Sequence, residues 1–405
     1  MDERAKGRAI AAELKPGVAV RLAASHALGR VMRDGAYANI VVESEAQGLR
    51  GPDRAFMQRL LFGALRQLRP IDAALANASS RSLDKVQPEV LDVLRVAGFE
   101  LLAGDAPHAA VSTAVDAART RAGKGAAGFA NAVLRAFQPV PDVGAFPRWI
   151  VDELSDGYGP DWAQAFLEAS DTPARLGVFS LEALDGVDAV QGVNGAGYMT
   201  GSGADLENDT TVVMDPASAA VVQAMDLQPG QRVVDLAAAP GGKTRAAALR
   251  LGAGSRLIAV DLNEKRLRRA ANRASAETIQ WVVGDSTMPP LARRAFDRVL
   301  LDAPCSGLGT LRRRPEIRHR LDPGAPAQLG KLQKRMLEAA LELVAPGGTL
   351  VYSVCTVFPQ ETTEVVAGHD ASPPALPGER HGGGVLLSPH VTGTDGMFVT
   401  MISPR

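Results

Sequence analysis

The chain has 405 residues, 46% hydrophobic and 22% charged, with a formal net charge of -1, which is too long for one core and typical of a globular multidomain protein. No apolar run approaches the ~20 residues of a membrane span, and the opening MDERAKGRAI lacks the apolar stretch of a signal peptide, so neither is expected. Two cysteines exclude a disulfide framework and point to the cytoplasm, and six scattered histidines offer no ligand-spaced cluster, so no metal is expected.

The average charge conceals segments of opposite sign. Residues 1–140 carry 19 Lys and Arg against 14 Asp and Glu, a net of +5; residues 141–230 carry 2 against 15, a net of -13; residues 231–405 carry 23 against 16, a net of +7. Basic blocks of this kind either attract phosphate or solvate ordinary faces.

Residues 1–140 read as all-helical. In 88–103 a proline opens the segment and Val90, Leu91, Leu94, Ala97, Leu101 and Leu102 recur at helical spacing. Similar patterns cover 5–33, 54–68, 109–121 and 128–137, punctuated by Gly51-Pro52, Gly104 to Pro107 and Gly123. The proline-rich 138–147 is a candidate boundary, and the acidic 141–215, with a helix pattern at 160–169 and the Gly-rich run GVNGAGYMTGSGADLEND, is expected to be a small α+β module.

From 216 to 405 the pattern changes. RVVDLA (232–237), RLIAVDL (256–262), IQWVV (279–283), DRVLLDA (297–303) and TLVYSV (349–354) are short, nearly continuous apolar runs, separated by helical patterns at 243–251, 264–276 and 328–344. Fully apolar strands alternating with helices predict a parallel sheet covered on both faces, with its ligand site at the carboxyl ends of the strands. The Pro- and Gly-rich 368–384 is predicted to be a mobile loop.

Chemistry-bearing residues gather at those ends. DLAAAPGGKT (235–244) is a strand, a tight small-residue turn and a helix start. A phosphate-binding P-loop would need glycine at Ala237, and Gly241-Gly242 beside Pro240 does not fit a dinucleotide fingerprint. An S-adenosylmethionine loop, formed by Ala237, Ala238, Ala239, Pro240, Gly241, Gly242 and Lys243, remains. Asp261 closes the second strand, where a carboxylate can bind ribose hydroxyls, and Asp285 follows the third, where one can accept from an adenine amino group. A single such Asp is more often a turn residue. With Asp235 there are three at successive strand ends, around a glycine turn, and these favour a ligand site.

The only cysteines, Cys305 in DAPCSG and Cys355 in YSVCT, also fall at strand ends rather than in helix cores. A thiolate that attacks C6 of a cytosine turns C5 into an enamine-like carbon able to take a methyl group, after which a base removes the C5 proton and the thiolate departs. The residues alone leave open which cysteine attacks.

DLAAAPGGKT, AVDLNEKRL, GDS, LDAPCSGLGTLRRRPEI and TLVYSVCTVFPQE occur in the order found in bacterial RNA (cytosine-5)-methyltransferases of the RsmB/Sun (Fmu) type, which residues 230–405 resemble. GAYAN, RAFMQRLLFGALRQ and GFANAVLR resemble the NusB-like RNA-binding helical domain that bacterial members carry. The resemblance implies a NusB-like domain at 1–140, a linker module at 141–215 and a Rossmann-like class I S-adenosylmethionine-dependent methyltransferase domain with a mostly parallel sheet at 216–405. It implies Cys355 as nucleophile, Cys305 as the group assisting release, residues 237–243, Asp261, Asp285 and Asp302 at the cofactor, and Lys243 and Asp302 also at the target base. Ala237 stands where many members have cysteine. The implied activity is methylation of cytosine C5 in 16S ribosomal RNA by a monomer; tRNA methylation, or a non-catalytic RNA-binding assembly role, are the alternatives. Arg312, Arg313, Arg314 and Arg318, beside the cysteine loop, are expected to contact phosphate, whereas Arg266, Arg268, Arg269 and Arg273 read as a solvated helix face. With 4% aromatic residues, phosphate and shape contacts should outweigh base stacking.

Overall fold

The computed structural model describes residues 17–201, 206, 208–252, 255–274 and 278–404, so the start of the helix expected over 5–33 and part of the Gly-rich run at 192–209 lie outside the described residues. The chain divides into two compact units, one formed by residues 1–148 with 314–320, the other by residues 149–313 with 321–405.

The first unit is helical: α1 (Val18–Arg33), α2 (Ala38–Glu45), α3 (Gly51–Arg66), α4 (Leu68–Ala78), α5 (Pro88–Leu102) and α6 (Pro107–Arg135). Helices α3, α5 and α6 each have proline in the first turn, where the missing N–H would have had no intrahelical partner. The patterns at 109–121 and 128–137 fall on the two halves of α6, which are separated by a kink at the non-helical Ala122 and at Gly123, φ 81°. Two cores form, one around Ile71, Val93, Leu94, Ala114 and Leu134, the other around Leu28, Val41, Met57, Leu61 and Val96. Acids on the core face of α5 are neutralised from α1: Glu100, 1% exposed, accepts from Arg21 Nε at 2.8 Å, and Asp92 meets Arg33 at 2.7 Å. Burial nonetheless pushes the Asp92 carboxyl above its usual range.

Residues 314–320 complete this unit and correct one expectation. Arg318 is fully buried, its guanidinium 4.0 Å from the centre of the Phe146 ring, and it donates to the Arg66 carbonyl at 3.3 Å. His319 Nε2 donates to the Leu65 carbonyl at 2.7 Å, and burial lowers its pKa to about 4, which keeps the ring neutral. Both side chains satisfy carbonyls left over at the end of α3. Arg318 is a helix cap rather than a phosphate contact. Arg314 lies 4.6 Å from the Tyr37 ring centre.

The second unit starts with α7 (Arg148–Tyr158) and α8 (Pro160–Ser170), then a four-stranded antiparallel sheet of β1 (Gly177–Ser180), β2 (Val187–Ala189), β3 (Ala196–Met199) and β4 (Thr211–Val213), in the order β2-β3-β1-β4. After α9 (Pro216–Ala224), capped by Asp215, the main sheet is built from β5 (Arg232–Asp235), β6 (Arg256–Asp261), β7 (Ile279–Val283), β8 (Phe296–Asp302) and β9 (Val344–Val354), all parallel in the order β9-β8-β5-β6-β7. Helices α10 (Gly242–Leu251), α11 (Glu264–Arg273) and α12 (Ala325–Leu341) connect these strands. The sheet continues past β9 with antiparallel strands β13 (Met397–Ile402), β12 (Gly384–Leu387) and β11 (Glu379–His381), and β10 (Ala371–Ser372) pairs with β13. The 368–384 segment is therefore not a simple loop: β10 and β11 tie it to the sheet. Apolar strand residues such as Val233, Leu257, Leu300 and Val351 share one core with Phe179 and Val212 of the small sheet and with α9.

Because β6 and β7 lie on one side of β5, and β8 and β9 on the other, the chain reverses its direction of winding beside β5. Crevices form at such points, beyond the carboxyl ends of the strands. Among the described residues no helix is long and apolar enough to cross a membrane.

Replacing Arg318 with methionine keeps the stem but removes the cap and the ring contact. We expect a loss of about 2 kcal/mol, read as a lower melting temperature, with the salt dependence of RNA binding unchanged; a weaker salt dependence would restore Arg318 as a phosphate contact.

Candidate functional site

The 235–244 turn is assembled largely by its own backbone and by carboxylates at the strand ends. Ala238 N–H donates to the Val260 carbonyl at 2.9 Å and Gly241 N–H to the Ala238 carbonyl at 2.7 Å, after a cis Ala239–Pro240 peptide. Gly241 caps α10 at φ 97°, and a Cβ there would lie 2.9 Å from Ala270 Cβ, so glycine is required on both counts. Asp261 steadies the turn: one carboxylate oxygen accepts from Ala239 N–H at 3.0 Å, the other from Asn263 N–H at 2.8 Å. Each oxygen keeps a lone pair for a ligand. Arg266, expected only to be solvated, also reaches back and donates to the Ala239 carbonyl at 2.7 Å.

Asp235, at the end of β5, is buried and accepts from Thr244 Oγ1 at 2.6 Å. Burial raises its pKa to about 6, with the Asp302 charge adding and the Thr244 hydrogen bond and Lys243 opposing. Asp302, at the end of β8, accepts from Lys243 Nζ at 2.7 Å and from Ser353 Oγ at 2.8 Å. Burial alone would lower the Lys243 pKa, but the charges of Asp302, Cys355 and Asp235 raise it. Asp285 stands apart as an exposed turn acid accepting from Thr287 N–H and Oγ1, both at 2.8 Å; these bonds hold its pKa down.

The two cysteines meet. Their sulfurs are 3.1 Å apart, in hydrogen-bond contact and not joined as a disulfide. The Cys305 thiol is pushed well above its usual range by its hydrogen bond to Cys355, by burial, and by the charges of Cys355, Glu361 and Asp302. The Cys305 loop is bound to the segment after β9: Gly309 N–H donates to the Cys355 carbonyl at 3.0 Å, and the Ser306 and Thr356 hydroxyls are 2.8 Å apart. The loop also packs on Gly396, whose N–H donates to the Gly309 carbonyl at 2.8 Å; a Cβ on Gly309 would fall 2.0 Å from the Gly396 carbonyl oxygen.

Of the arginines expected at phosphate, Arg313 is paired within the fold, with Asp395 at 3.0 Å and with Asp215. These pairings weaken the positive field that Arg313 offers to a phosphate. Arg312 donates to the Gly393 carbonyl at 2.7 Å while remaining partly open to solvent. Glu361 and Gln333, both fully buried beside the cysteine loop, are absent from the candidates that the sequence supplies. Glu361 lies six residues beyond Cys355 in CTVFPQE, and that proximity is the available signal. Gln333, mid-helix, has none. Among the described residues no three of His, Cys, Asp or Glu gather as metal ligands.

The family model described as 16S rRNA methyltransferase RsmB/F matches residues 222–374, and that of the NusB family matches residues 18–139. The chain is 36% identical to the ribosomal RNA small subunit methyltransferase B of Thermus thermophilus, over 85% of this chain and 87% of that protein. With the Klebsiella pneumoniae protein of the same name the identity is 27%, over 97% of this chain and all of the other. The crystal structure of PH0851 superposes with a TM-score of 0.82 at 22% identity, covering 96% of this chain and 99% of that one, which shows a shared fold.

The raised pKa of Asp235 has a consequence for stability. The folded state favours its neutral form, so the stabilisation it contributes is complete below the unfolded value of about 3.9 and is lost as pH rises towards about 6. Asp235→Asn, which retains an acceptor for Thr244, should gain melting temperature relative to the parent between about pH 4 and 6 and hold that gain to about pH 8. A difference independent of pH would show that Asp235 is ionised throughout.

Proposed function

Since this chain belongs to the 16S rRNA methyltransferase RsmB/F family, we propose that it methylates C5 of a cytosine in 16S ribosomal RNA, with S-adenosylmethionine as methyl donor and a covalent enzyme–RNA adduct as intermediate. The observation that carries this reading is the pair of thiols 3.1 Å apart, just beyond the ends of β8 and β9, beside Asp302 and the Lys243 that donates to it.

The residues present suit the cofactor. Leu262, Val283 and Met288 expose 71%, 53% and 79% of their surface at the ends of β6 and β7, beside Asp261 and Asp285. Apolar surface flanked by carboxylates matches an adenosine, whose ring faces are apolar and whose hydroxyl and amino groups donate. Residues 237–243, Asp261, Asp285 and Asp302 would hold it. When bound, S-adenosylmethionine supplies an electrophilic methyl group.

The chain's own groups account for the rest. Lys243 carries a charge felt by Cys355, which favours the thiolate there, while Cys305, its pKa raised, keeps its proton in the resting enzyme. Cys355 then adds to C6, making C5 nucleophilic. Asp302 and Lys243 hydrogen bond to the edge of the base. After methyl transfer a base takes the C5 proton, the C6–sulfur bond breaks, and Cys355 leaves as thiolate; Cys305, in contact with it, assists this release. Reaching Cys355 requires the cytosine to leave its stack. Arg312 and Arg314 remain candidates for phosphate contact.

Cys355→Ala should reduce methylation to background, and Cys305→Ala should accumulate a protein–RNA adduct that survives denaturing electrophoresis; an adduct in the Cys355 variant instead would reverse the roles. Bisulfite sequencing of RNA from a strain lacking the gene should reveal one missing 5-methylcytosine in 16S RNA. Loss from tRNA would move the substrate, and an unchanged profile would overturn the assignment.

A further inference from the structure

The buried network behind the two cysteines has no part in the chemistry above, yet it touches both loops. Glu361 Oε1 accepts from the Ser306 backbone N–H at 2.8 Å and from Gln333 Nε2 at 3.0 Å. The same Gln333 nitrogen donates to the Pro304 carbonyl at 2.9 Å, so the backbone on both sides of Cys305 is held by one Glu–Gln pair. Tyr352, in the strand that leads to Cys355, donates to the Glu361 carbonyl at 2.7 Å and meets Gln333 Oε1 at 3.2 Å. Ser306 and Thr356 then join the residues that follow each cysteine, their oxygens 2.8 Å apart. Glu361, Gln333 and Thr356 are all fully buried.

We infer that Glu361 is a positioning residue: with Gln333 it clamps the Pro304–Cys305–Ser306 segment so that Cys305 stays in contact with Cys355 during release of the methylated RNA. This rests on the catalytic reading of the two cysteines given above. A buried carboxylate is costly to hold in the fold, and burial does raise the Glu361 pKa, opposed by hydrogen bonds from Ser306, Gln333 and Thr356. A role limited to packing would be met by an apolar side chain of similar size. What an apolar residue cannot do is accept both the Ser306 N–H on one side of Cys305 and the Gln333 amide that holds Pro304 on the other.

Release depends on Cys305 more than adduct formation does, so loosening its loop should slow release selectively. With unmethylated 16S RNA from the deletion strain, Glu361→Ala should form the covalent adduct and release it about tenfold to a hundredfold more slowly, with the KM for S-adenosylmethionine within about twofold of the parent. Glu361→Gln, which retains the accepting oxygen, should restore release to within about threefold. If Glu361→Ala does not fold, Gln333→Met, which cuts the bridge to Pro304 and leaves Glu361 in place, should show the same slow release. Release at the parental rate in these variants, or slow release that Glu361→Gln does not restore, overturns the clamp while leaving the catalytic reading intact. Methylation by the parent enzyme with no trapped adduct in Cys305→Ala overturns both.

Discussion

The parallel pairing of β8 with β9 is the constraint on which the site depends. It sets Asp302 opposite Ser353, with Ala303 N–H donating to the Ser353 carbonyl at 2.9 Å and the Ser353 hydroxyl donating to the Asp302 carboxylate. Both strands end within a few residues of that point, and one cysteine follows each. A slip of one residue would send Asp302 to the other face of the sheet and draw the two sulfurs apart. The pairing is secured from inside by side chains such as Leu300, Val351 and Tyr352, all fully buried. Packing of the core and geometry of the thiol pair are therefore one problem.

Burial then sets the electrostatics of what the strands bring together. The ionisations of Asp235, Lys243 and Cys305 are shifted, and the charges of Asp302 and Cys355 are among the causes. In this water-poor setting a single ammonium can decide which of two adjacent thiols ionises. Carboxylates keep that ammonium in place: Asp302 by direct contact, Asp235 by charge. Lys243, on the helix that follows β5, reaches Asp302 at the end of β8 because those two strands are neighbours in the sheet, however far apart they lie in sequence.

Much of this architecture is legible in the sequence because the parallel strands are buried on both faces. IQWVV coincides with β7, and the runs at 232–237, 256–262 and 297–303 match β5, β6 and β8 to within two residues. The helical pattern of 88–103 is equally plain, its proline and apolar spacing agreeing with α5. Strands β10, β11 and β12 are not legible: they are two to four residues long and lie among Gly and Pro, so periodicity has nothing to act on. The strand-end acids and cysteines stand out because they recur at successive strand ends around one glycine turn, where a single Asp would read as a turn residue. Glu361 and Gln333 do not, because their partners are backbone groups distant in sequence.

The arginines show the limit from the other side. Five of them between 312 and 320 suggest a field for phosphate. In the fold, Arg313 pairs with Asp215 and Asp395, Arg318 caps α3 over Phe146, and Arg320 donates to the Val31 carbonyl at 2.8 Å. Carbonyls at a helix end and buried carboxylates require donors as strongly as a phosphate does, and arginine, with five N–H groups on a rigid plane, meets either need. Sequence records the donor without its acceptor, so a basic run counts as an RNA contact only for those members whose guanidinium the fold leaves in water.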